Sequence, residues 1–201
     1  AAMKASFVFR TSCAAAVVLL AATLSGPSAW GAVTESPLIA SGDTFVRGGA
    51  PNTNEGGSPY LRMQASGDNR ALIKFDQAAI EAIVGGGALI SAKLRVTVAD
   101  NAQNWGKNGD RTVDVHRMLV CWEEGNGVNS EVPNRLRTRG AGAGATWNMA
   151  VDADVSNQKE DFGTAWEMGK PKQPELHPWV AEPTASSVIT NEISGAETIT
   201  W

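Results

Sequence analysis

The chain has 201 residues, with 17 basic and 21 acidic side chains and 43% apolar content, which fits one domain carrying an appended segment. A charged fraction of 19% beside ordinary apolar content excludes a disordered tail, and 21 Gly with 9 Pro in no triplet period exclude collagen. The slight acidic excess offers no basic field to phosphates, so nucleic acid is excluded as a partner.

The amino end reads as an address. Lys4 and Arg10 supply positive charge, Cys13 to Leu24 is an apolar run, and Gly26-Pro27-Ser28-Ala29-Trp30-Gly31 breaks it with small residues. That is the layout of a secretory signal over residues 1–31, cut after Gly31. The run is much shorter than the roughly 20 residues a membrane span needs. An exported protein is expected, with no membrane association once the signal is gone. Removing Lys4 and Arg10 from 17 basic residues leaves 15 against 21 acids, a net of −6. Cys13 leaves as well, so Cys121 stays without an internal disulfide partner. Beside Trp122 it reads as a small buried hydrophobe. Residues 32–40 read as a linker.

From there the pattern is one of strands. Asp43–Arg47 interleaves polar and apolar residues; in Tyr60–Gln64, Leu61 and Met63 share one face, Arg62 and Gln64 the other. In Arg70–Asp76 the set Ala71, Ile73 and Phe75 opposes Arg70, Leu72, Lys74 and Asp76. Gln77–Val84 suits one or two helical turns, ended by Gly85-Gly86-Gly87. Ala92–Val98 and Thr112–Arg117 alternate again. Period-two alternation predicts strands with one face in a core, and short strands with no βαβ rhythm predict an all-β sandwich or jelly roll. Segments around Glu124–Gly127, Arg139–Gly144 and Gly169–Pro174 are loops, and Asn148–Trp166 reads as a long excursion with a helical turn. Glu197–Trp201 alternates like a strand and the sequence stops within it, an edge that natural domains avoid exposing. Further strands are therefore expected beyond it.

The ordered series Ser41–Arg47, Asn54, Gly56, Leu61–Met63, Gly67–Asp76, Ile90–Val96, Val113–Arg117, Trp122, Glu124 and Ala145–Asn148 resembles the DNRLRE-type domain, also called carbohydrate-binding module family 96. The likeness spans residues 41–201, nearly all of the mature chain. It implies an exported jelly-roll β-sandwich with long loops, fused to or acting with a polysaccharide-degrading enzyme. Its expected ligand is an acidic polysaccharide such as alginate, held by basic residues on strands. Arg47 and Arg70 match such positions, whereas Gln64 stands where members often carry Lys.

The residues themselves point the same way. Arg62 with Gln64, Arg70 with Lys74, and Lys93 with Arg95 each share a strand face and together form a candidate basic patch; bidentate Arg suits carboxylates. Trp105, in a turn, offers an apolar ring face for a sugar. Arg47, Gln64, Arg70, Lys74, Arg95 and Trp105 are thus the expected carbohydrate contacts, with no catalytic residue assigned. Trp122 and Trp147 read as core. The plain alternative is that these cations are solvated outer faces.

An enzyme remains open, as does a cell-surface adhesion module. A lyase or hydrolase would act through loop residues; adjacent Glu123 and Glu124 face opposite ways on a strand, and His116 and Tyr60 are bases only by elimination. Zinc spacings, a nucleophile elbow and a phosphate loop do not occur. No cofactor is expected. A structural calcium on Asp43, Asp76, Asp100, Asp110, Asp152 and Asp154 lacks EF-hand spacing.

Overall fold

The computed structural model describes residues 6–10, 16–22, 33–64, 69–85, 87–101, 109–130, 132–166, 168, 177–190 and 193–201. Twelve strands and one α-helix carry them, an all-β fold: β1 (Ser6–Arg10), β2 (Ala16–Ala22), β3 (Val33–Ile39), β4 (Gly42–Arg47), β5 (Tyr60–Gln64), β6 (Asn69–Lys74), α1 (Gln77–Val84), β7 (Ala88–Asp100), β8 (Arg111–Val115), β9 (Met149–Val151), β10 (Thr164–Ala165), β11 (Ala185–Ile189) and β12 (Ser194–Thr200). One sheet runs β3-β2-β7-β1-β5-β6-β4, with β12 also on β7; β8 pairs with β11, and β9 with β10.

Register explains the layers. Val46 lies opposite Arg70, Thr44 opposite Leu72 and Gly42 opposite Lys74, while Phe45 faces Ala71 across the ladder. Alternation therefore sends Phe45, Ala71 and Ile73 to one side and Val46, Arg70, Leu72 and Lys74 to the other. On the first side Phe45, Leu61, Val96 and Val98 meet Val113 of β8 and Ile189 of β11. On the second, Val46 and Leu72 meet Trp122, Trp166, Met168 and Trp179 from the irregular half of the chain. Covered on both faces, β4 has Thr44, Phe45 and Val46 all at 0% exposure. Burying Phe45 alone contributes about 2–3 kcal/mol.

The helix is a surface connection with no buried residue. Asp76 caps it by accepting from the Ala79 N–H at 2.8 Å, and Gly85, at φ +55°, ends it with its N–H on the Glu81 carbonyl at 2.8 Å. A left-handed φ is what Gly tolerates without strain.

Three expectations are corrected. Residues 33–39 of the segment 32–40, read as linker, form β3 in continuous register with β2; the strand is set by its partner, because the sequence VTESPLI has no apolar–polar alternation to announce it. Cys121 is exposed, because neighbouring Trp122 takes the inward position. The final strand is not left unpaired: β12 lies on β7, and Trp201 exchanges backbone hydrogen bonds with Leu94 at 2.9 and 3.1 Å. The Trp201 indole also donates to the Val113 carbonyl at 2.9 Å, joining the two sheets.

Candidate functional site

The second face of β6 carries two cations into an aromatic layer. The Arg70 guanidinium carbon lies 4.7 Å from the Trp179 ring centroid and 5.6 Å from that of Trp147. The Lys74 ammonium lies 4.9 Å from the Trp122 ring and 3.5 Å from the Trp122 carbonyl. Such contacts are worth about 0.5–2 kcal/mol each, rising as water is excluded.

Each indole is fixed from outside the strand. Trp147 donates its backbone N–H to Pro51 at 2.9 Å, and its carbonyl accepts from the Trp166 indole at 2.9 Å. Trp179 is braced by the flanking bonds Leu119 N–H to Pro178 carbonyl at 2.7 Å and Val180 N–H to Arg117 carbonyl at 2.9 Å. His177 stacks on Trp179 at 4.2 Å between centroids, and His116 meets it edge-on at 6.4 Å.

Arg70 is electrostatically incomplete. Its buried Nε has no hydrogen-bond partner, and among the described residues the ion pair is that of Arg47 with Glu55. Burial pulls the Arg70 guanidinium below its ordinary value, though Arg stays charged in proteins. A half-buried cation with an unused donor is stabilised by an incoming carboxylate. Arg70 also borders a cleft of about 720 Å³ whose walls include Met63, Ala71, Leu94 and Val113. That cleft is mostly apolar, with Gln64, Asn69 and His116 among its polar groups.

At the other end of β6, Glu124 accepts from the Asp43 N–H at 2.9 Å. Burial, and secondarily the Glu124 charge, push the Asp43 carboxyl from 3.8 up to about 6. A carboxyl with a raised folded value binds its proton more tightly in the folded state, so its stabilising effect is present below about pH 4 and lost as pH rises through 6. Asp43→Asn should flatten that fall and stabilise the domain at pH 7 by on the order of 1 kcal/mol, after allowance for solvent screening. Melting temperature measured from pH 4 to 8 checks it; parallel curves for parent and variant contradict it.

The loops that carry the indoles are tied to β4 by Asn54 and Glu55, both buried. Asn54 Nδ2 donates to the carbonyls of Glu124 (2.7 Å) and Ala145 (2.8 Å), while Oδ1 accepts from the N–H of Gly127 (2.8 Å) and Gly56 (3.1 Å). Gly125, at φ +73°, passes so close that a Cβ there would sit 2.5 Å from Asn54 Oδ1, so a side chain at this position would be both strained and obstructed.

The expected contacts are dispersed. Arg70 and Lys74 share a face, but that face is roofed by indoles rather than open. Arg47 is taken by Glu55 at 2.9 Å. Gln64 accepts from Asn69 Nδ2 at 3.3 Å and lines the cleft. Arg95 is exposed on β7, three places from β6 in the sheet. Trp105 falls outside the described residues. Trp122 is buried and Trp147 half-buried, as core readings require. Asp152 is enclosed, and burial raises its carboxyl, yet among the described residues no three His, Cys, Asp or Glu side chains converge as metal ligands. Trp179 as the clamp on Arg70 was not legible, since 109 positions separate them and no local pattern links them. Comparison with known proteins finds no matching family, curated protein or solved structure.

Proposed function

We propose that this chain is an exported, non-catalytic carbohydrate-binding module of jelly-roll type, similar to the DNRLRE-type domains, that takes an acidic polysaccharide such as alginate. The observation that carries the reading is Arg70: a guanidinium held between two indoles, with an unpartnered Nε and no carboxylate of its own among the described residues. The guanidinium suits a uronate carboxylate, and the two indoles orient it, the Trp179 ring being held in turn by His177. The strand-rich fold supports the all-β part of the proposal; export rests on the sequence pattern of residues 1–31, of which Ser6–Arg10 and Ala16–Ala22 form β1 and β2 of the main sheet.

Affinity electrophoresis tests it. Alginate or pectate should retard the protein and neutral glucan should not, with the retardation weakening as salt rises. Arg70→Ala should weaken binding at least tenfold, the loss of about 1.4 kcal/mol or more expected for a charge-assisted contact. Unchanged retardation of that variant rejects the assignment.

A second reading, glycan hydrolysis, has one observation in its favour: Asp43, raised to about 6 beside Glu124, is a carboxyl able to hold a proton near neutral pH. Release of reducing ends by the purified protein, abolished in Asp43→Asn, would favour it over binding alone.

A further inference from the structure

We propose that the cleft beside β6 is a docking slot for an extended peptide strand, with alternating apolar side chains and a carboxylate placed to meet Arg70. The backbone of β6 supplies the first reason. Its Lys74 carbonyl accepts from the Ser41 N–H at 2.9 Å, so the peptide groups of Arg70, Leu72 and Lys74 point toward β4. Consistently, the Asp43 N–H of β4 points away from β6, to Glu124. By alternation the N–H and C=O groups of Ala71 and Ile73 point to the opposite edge. On that edge β5 meets β6 at one position, Gln64 opposite Asn69, and no further pairing occurs among the described residues. Two consecutive sets of ladder groups therefore open into the cleft, and a row of this kind is what an added strand matches.

The second reason is the composition of the walls. Met63, Ala71, Ile73, Leu94 and Trp201 pack against the first core yet stay only partly buried, and a void of about 720 Å³ lies beside them. Interiors are close-packed, so an apolar hollow of this size is a place for added side chains rather than a finished core. A strand laid on the β6 edge sends alternate side chains toward Ala71 and Ile73, into the hollow. The intervening ones lie on the Arg70 face, where charge complementarity selects an acid. A glycan matches the Arg70 charge but not a ladder of amides or a deep apolar wall.

The slot goes beyond the glycan reading and is tested separately. The probe is the peptide acetyl-Thr-Val-Glu-Val-Thr-Val-amide, labelled for fluorescence polarisation and titrated into the full chain. Binding should weaken at least tenfold when alternate amides are N-methylated in one of the two phases, and by about as much when its Glu is replaced by Gln. Hydrogen exchange at the Ala71 and Ile73 amides should slow at least tenfold in the complex, the loss of opening expected for amides newly bonded in a ladder. Affinity indifferent to N-methylation in both phases would mean unspecific adhesion and overturn the proposal. So would protection of those two amides by an oligouronate and not by the peptide. Retardation by alginate, measured apart, tells whether the glycan reading stands or falls with it.

Discussion

Replacing Asn54 by Asp should lower the unfolding free energy by about 4 kcal/mol, although the two side chains have almost the same shape. The amide uses its full inventory in a buried site: two donations, to Glu124 and Ala145, and two acceptances, from Gly127 and Gly56. A carboxylate in its place turns an oxygen toward two carbonyl oxygens at the former 2.7 and 2.8 Å. Each carbonyl left without a donor costs about 1–3 kcal/mol, and the buried charge adds to it. For a domain of this size the melting temperature should fall by roughly 8–16 °C. Urea denaturation of parent and variant gives the number directly. A loss under about 1 kcal/mol would show that the three strands of loop meeting at Asn54 hold without it.

Removing the next side chain should be nearly as costly. Glu55→Ala is expected to destabilise by about 3–4 kcal/mol, because its carboxylate is fully enclosed and serves three donors. Oε1 takes the Arg47 guanidinium at 2.9 Å, and Oε2 takes the N–H groups of Asn129 at 2.8 Å and Ser130 at 3.0 Å. Alanine orphans both amides and leaves a cation whose side chain is only 25% exposed. Glu55→Gln keeps an acceptor but turns one end into a donor facing the guanidinium, so about half the loss should remain. A double-mutant cycle with Arg47→Ala isolates the pair term, and a coupling near zero would contradict its stabilising role. Effects at 54 and 55 should not add, since Asn129 bonds both residues.

Period-two patterning made β4, β5 and β6 legible, together with the faces of their side chains, because alternation is a local geometric property. It did not say what covers each face. The side of Arg70 and Lys74 reads as solvated charge until the Trp residues of 122–179 fold back over it, and that return is dictated by loops with no periodicity. The same limit hid Arg47: its carboxylate is eight residues on, in a segment of Asn, Glu and Gly that reads only as turn. Asn54 stood out in the family likeness, but its side-chain donations reach 70 to 91 residues away, beyond anything spacing reveals.

Those separations bear on how the molecule assembles. Closing a loop of such length forfeits chain freedom before any contact rewards it, and the cost grows only slowly beyond that point. Contacts of high sequence separation slow the search for the native state. Asn54 can therefore be satisfied only once residues as distant as Ala145 have emerged and collapsed, so that knot is tied late. Until then the loops around Glu124 and Ala145 lack the anchor that Asn54 gives them.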